Sequence, residues 1–128
     1  MEFRKGENSK HLAERRKFPR LNAVVNVEYS IIGEGPLKYT ESTKNIGAGG
    51  ICLIVYEEIK INTLLSLKFF LPDSNEPIQA KGRVVWKGEF SISSDQIRRY
   101  DLGIEFVEIG EEDRERISKY VFTRSYQK

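Results

Sequence analysis

Leu21-Asn22-Ala23-Val24-Val25-Asn26-Val27-Glu28-Tyr29-Ser30 is the stretch on which the fold turns. Leu21, Ala23, Val25, Val27 and Tyr29 alternate with Asn22, Val24, Asn26, Glu28 and Ser30, the two-residue period of a strand with one buried face. The break at Ile32-Gly33-Glu34-Gly35-Pro36 predicts a turn, and residues 37–46 (LKYTESTKNI) predict a second, more polar strand. A bend at Gly47-Ala48-Gly49-Gly50 then feeds the apolar run Ile51 to Tyr56. Further strands are predicted over 63–71, 77–87 and 100–108, joined by turn-rich or polar segments at 72–76 and 88–99. Six short strands with no helix between them predict an all-β antiparallel sandwich or closed barrel. The end of the chain changes character. Glu111, Glu112 and Asp113 suit the positive end of a helix dipole, and Ile117, Tyr120 and Val121 form one apolar stripe. A single C-terminal α-helix, about residues 110–123, is therefore expected to close the barrel.

Within this frame Trp86, alternating with Val84, reads as core or rim packing. Cys52, in an apolar strand, reads as a small hydrophobe without a redox role. Arg98 and Arg99 fall in the polar 88–99 connection and read as a solvated pair.

The 128 residues, 39% hydrophobic and 31% charged, suit one domain with a genuine core and exclude a disordered tail. One Cys excludes an internal disulfide, and one His, His11, leaves little for nucleophilic catalysis or a structural metal. No apolar run approaches the roughly 20 residues of a membrane-spanning helix, and the opening MEFRKGENSK lacks the apolar stretch of a signal peptide. A cytoplasmic protein is expected. The net charge of +2 hides a division: residues 1–20 carry seven Lys/Arg against three Asp/Glu, and residues 21–128 carry fourteen against sixteen. Residues 1–13 read as a flexible arm and 14–124 as the folded domain.

Two segments carry chemistry. Glu14-Arg15-Arg16-Lys17-Phe18-Pro19-Arg20 precedes the first strand, and Pro19 keeps it extended. Guanidinium binds phosphate bidentately, pairs with the O6/N7 edge of guanine and stacks on purines, so this Arg-rich loop suits a guanine nucleotide. Taken alone, such a segment is more often a solvated basic linker. Asn45-Ile46-Gly47-Ala48-Gly49-Gly50 combines an amide able to read a guanine edge with glycines that permit positive φ or close approach to a ligand. Taken alone, it is more often an ordinary strand connection.

Together, in this order and spacing, the two segments resemble the motifs of the PilZ domain family. Arg16 and Arg20 match RxxxR, and Asn45 and Gly50 match the ends of (D/N)xSxxG. The likeness runs on through GGICLIV, GRVVW at 82–86, YDLGIEF at 100–106 and the closing helix, covering roughly 13–123. It implies a stand-alone, six-stranded antiparallel β-barrel with a flexible Arg-rich loop, no enzymatic activity, and cyclic di-GMP as ligand. Arg16 and Arg20 would bind phosphate and the guanine Hoogsteen edge, Asn45 would contact a guanine, and Gly47, Gly49 and Gly50 would let the nucleotide approach. Arg15 implies an intercalated pair of ligands. Gly47 replaces the family's Ser, which predicts affinity weakened roughly three- to tenfold by one lost hydrogen bond. The expected output is a ligand-dependent change of the N-terminal loop that an unidentified protein effector reads. Alternatives are a protein-interaction adaptor that has lost nucleotide binding, and a nucleic-acid-binding barrel, which the acidic balance of residues 21–128 opposes.

Overall fold

The computed structural model describes residues 18–92 and 97–125. Among these residues there are seven strands, β1 (Arg20–Asn22), β2 (Asn26–Ile31), β3 (Tyr39–Gly47), β4 (Gly50–Val55), β5 (Leu64–Phe69), β6 (Ile78–Ile92) and β7 (Ile97–Ile109), followed by helix α1 (Glu111–Ser125). All pairings are antiparallel. Six strands close a ring in the order β3-β2-β5-β6-β7-β4, with β4 returning to β3, and β1 lies outside it on β3.

The predicted first strand is divided, and the reason lies in its partner. Asn22 opposes Asn45 but Asn26 opposes Ser42, so the pairing with β3 slips by one residue across the break. Across the gap the buried Thr43 hydroxyl donates to the Ala23 carbonyl at 2.7 Å and accepts from the Val25 amide at 2.9 Å. One side chain thus satisfies two backbone groups that the break would otherwise orphan. Leaving either unpaired in the interior would cost about 1–3 kcal/mol. The alternation still sets the faces: Val25, Val27 and Tyr29 are buried, and Val24 is 76% exposed.

The barrel is filled by Val27, Ile46, Ile51, Leu53, Leu65, Leu67, Ile78, Leu102 and Ile104, all essentially inaccessible. Helix α1 buries the expected stripe of Ile117, Tyr120 and Val121 and contacts β1 and β3. Among the described residues no helix is long and apolar enough to cross a membrane.

Three expectations are corrected. The 88–99 segment is not a polar loop: β6 and β7 stay paired out to Ile92 and Ile97, so Arg98 and Arg99 are strand residues. Arg98 pairs with Glu89, and Arg99 donates to both carboxylate oxygens of buried Asp101 at 3.0 and 3.3 Å, which commits their charge within the hairpin. Trp86 is not in the core. A register shift between Val84 and Trp86 leaves Val84 inside and turns Trp86 outward, 52% exposed, against Gly103 and Gly88. The glycines of the 47–50 bend do not adopt positive φ, which among the described glycines is found at Gly33 and Gly35. Their use is close packing.

Candidate functional site

The tip of the β3–β4 hairpin is where the two sequence motifs meet. Gly47 pairs with Gly50 across the two-residue turn Ala48-Gly49, and β1 lies on the other side of β3 with Arg20 opposite Gly47 and Asn22 opposite Asn45. Directly paired residues project to the same side of a sheet. Arg20, Gly47, Gly50 and Glu105 therefore form one row across β1, β3, β4 and β7, and Asn22, Asn45, Cys52, Gly103 and Trp86 form the next. The Arg20 guanidinium donates from Nη1 to Asn45 Oδ1 at 2.9 Å. That contact joins motifs 25 residues apart in the chain.

Absent side chains let the N-terminal segment close on the hairpin. A Cβ on Gly47 would lie 2.5 Å from the Pro19 carbonyl oxygen, and one on Gly49 would lie 2.8 Å from the Phe18 ring. Gly47 therefore does more than omit a hydroxyl, since the space a serine would need is filled by the backbone leading into β1. Restoring it with Gly47→Ser is expected to lower stability by about 1–3 kcal/mol through overpacking and to leave nucleotide affinity unimproved. Thermal melting together with titration checks this. Tighter binding at an unchanged midpoint would refute it.

Beside the hairpin tip lies a groove of about 500 Å³, lined by Phe18, Arg20, Gly49, Val85, Glu105, Phe106 and Arg114. Among the described residues of the two segments, Phe18, Arg20 and Gly49 line it, and Asn45 is hydrogen-bonded to Arg20. Arg15 and Arg16, with His11 and the 1–13 arm, lie outside the described residues. Glu105 and Phe106 end the YDLGIEF stretch and Arg114 lies in the closing helix, but none of the three belongs to the Arg-rich segment or the Asn45–Gly50 bend. Its alternation with the buried Ile104 and Phe106 marks Glu105 as outward-facing, but its neighbours in space are set by strand register. Arg114 carries no local signal at all, being one charge among many on α1.

The second row is chemically quiet. Cys52 is buried, and burial together with the nearby Asp101 carboxylate raises its thiol pKa, so the thiol stays protonated and unreactive. Asp101, 1% exposed, is held by Lys44 at 3.3 Å and by Arg99. No group of three or more His, Cys, Asp and Glu suited to a metal ion occurs among the described residues.

A small closed barrel with Arg20 and a hairpin tip converging on an open groove has the anatomy of a ligand-binding domain. The chain belongs to the PilZ domain family, which matches residues 14–123; PilZ domains are non-catalytic cyclic di-GMP receptors. Among solved structures it is similar to the Bacillus subtilis inhibitor of motility MotI/DgrA, with TM-score 0.70, 23% identity, and coverage of 87% of this chain and 51% of that one. It is also similar to the K. pneumonia MrkH–c-di-GMP complex, with TM-score 0.66, 17% identity, and coverage of 87% and 52%. A third is the PilZ domain of YcgR from Escherichia coli with c-di-GMP, with TM-score 0.65, 10% identity, and coverage of 85% and 90%. The chain thus spans about half the length of MotI/DgrA and MrkH. No curated protein matches it.

Proposed function

We propose that this protein is a cytoplasmic cyclic di-GMP receptor. It takes the nucleotide at the hairpin tip with Arg15, Arg16, Arg20, Asn45, Gly47, Gly49 and Gly50 and passes the binding event to a protein effector through the N-terminal loop. The observation that carries this reading is the Arg20–Asn45 hydrogen bond, which brings a phosphate- and guanine-binding cation against a guanine-reading amide beside an open groove. Cyclic di-GMP offers both chemistries, with two phosphodiesters and two guanines. The solved complexes of MrkH and of the YcgR PilZ domain, which are similar to this chain in fold, support the choice of ligand.

Arg15 adds a further guanidinium ahead of the motif, and with it the receptor binds an intercalated pair. Ligand binding then draws the Arg-rich loop toward the barrel, and the changed surface is what the effector recognises. Isothermal titration with cyclic di-GMP tests both parts. A stoichiometry of two nucleotides per chain is expected. No heat at about 100 μM ligand would overturn the receptor reading. Effector capture that is indifferent to both the nucleotide and Arg20→Ala would favour a nucleotide-independent adaptor instead.

A further inference from the structure

Helix α1 contributes to the groove through Arg114, a residue in neither binding motif. Its guanidinium lies over the Phe18 ring, 5.2 Å from the centroid. Phe18 ends the approach to β1, so the helix touches the residues that lead into that strand. Arg114 Nε is buried and has no hydrogen-bond partner, the one such side-chain atom among the described residues. Buried polar groups are nearly always paired, and an exception at the wall of an open groove calls for an explanation. Glu105 lines the same groove and lies in one cross-strand row with Arg20, Gly47 and Gly50. Phe106 adds a second aromatic ring and Val85 an aliphatic wall. Apolar walls with a few convergent polar groups of both kinds suit a planar heterocycle that has donors and acceptors on its edges.

We infer that this groove seats one guanine of the ligand, with Arg114 donating to the O6/N7 edge and Glu105 accepting from N1–H and N2–H. The chemistry is specific to that base. Guanine presents acceptors to an arginine fork and donors to a carboxylate, whereas adenine places an unprotonated N1 where Glu105 needs a donor. The seat also ties nucleotide occupancy to α1, because the residue that closes on the base is a helix residue.

This inference rests on the cyclic di-GMP reading, and one set of titrations separates the two. Wild type, Arg114→Ala, Arg114→Lys and Glu105→Gln are titrated with cyclic di-GMP and with cyclic di-AMP. Arg114→Ala is expected to weaken cyclic di-GMP binding by about tenfold or more, as suits a lost charge-assisted hydrogen bond, with Arg114→Lys intermediate. Glu105→Gln is expected to narrow the preference for cyclic di-GMP over cyclic di-AMP, a readout that a merely structural role would not move. If wild type binds neither nucleotide, the receptor reading falls and this inference with it. If wild type binds cyclic di-GMP while Arg114→Ala stays within twofold, or Glu105→Gln leaves the preference unchanged, the guanine seat is overturned and the receptor reading stands.

Discussion

Arg20→Ala is expected to weaken cyclic di-GMP binding by about 2–5 kcal/mol, thirtyfold to several thousandfold, while leaving the barrel folded. The binding loss is large because Arg20 is a motif cation that both lines the groove and holds Asn45 at 2.9 Å. Removing it takes away the guanidinium and also releases the Asn45 amide from its orientation. The fold should tolerate the change because β1 lies outside the closed ring and its pairing to β3 is made by the backbone. About 1 kcal/mol of stability, a shift of roughly 4 °C in melting midpoint, is the most the lost side-chain hydrogen bond should cost. Calorimetric titration and thermal melting on the same preparation check both parts. An affinity within threefold of wild type would refute the assignment of Arg20.

Gly50→Ala is the substitution expected to damage the fold most. A Cβ at that position would lie 2.0 Å from the Ile104 carbonyl oxygen, 3.1 Å from its carbonyl carbon and 3.2 Å from the Glu105 Cα. All three are backbone atoms of β7, the strand paired with β4, and none can rotate away as the end of a side chain would. Relief requires the β4–β7 seam to open, with loss of pairing in a closed ring that has no spare edge to absorb the shift. Overpacking of this kind costs about 3 kcal/mol or more, out of the roughly 5–15 kcal/mol that holds a domain of this size together. A melting midpoint lowered by about 10 °C or more is expected. Gly88→Ala is the control, since a Cβ there meets only the Trp86 and Phe90 side chains on the surface, at 3.1 Å and beyond. Equal losses in the two variants would show that the seam is not under the constraint described.

These outcomes also separate two uses of one glycine motif. Read as sequence, Gly47, Gly49 and Gly50 form a flexible bend open to a ligand. In the structure each has a different neighbour: the Pro19 carbonyl at Gly47, the Phe18 ring at Gly49 and the β7 backbone at Gly50. The first two seat Phe18 and Pro19, and the third closes the barrel.

What the amino-acid order determined by itself is whatever depends on near neighbours along the chain. The two-residue period from Leu21 to Tyr29 chose the buried face, the stripe of Ile117, Tyr120 and Val121 chose the helix face, and the spacing of Arg20, Asn45 and Gly50 marked the motifs. Tertiary structure decided whatever depends on register between strands distant in sequence. The shift at Val84 and Trp86 reversed the face of the tryptophan, and a one-residue slip against β3 divided the first strand. Pairing of β4 with β7 put Glu105 into the row of Arg20, and packing of α1 brought Arg114 onto Phe18. A slip of one residue moves every side chain of a strand to the other face, so no local pattern could have assembled those residues into one groove.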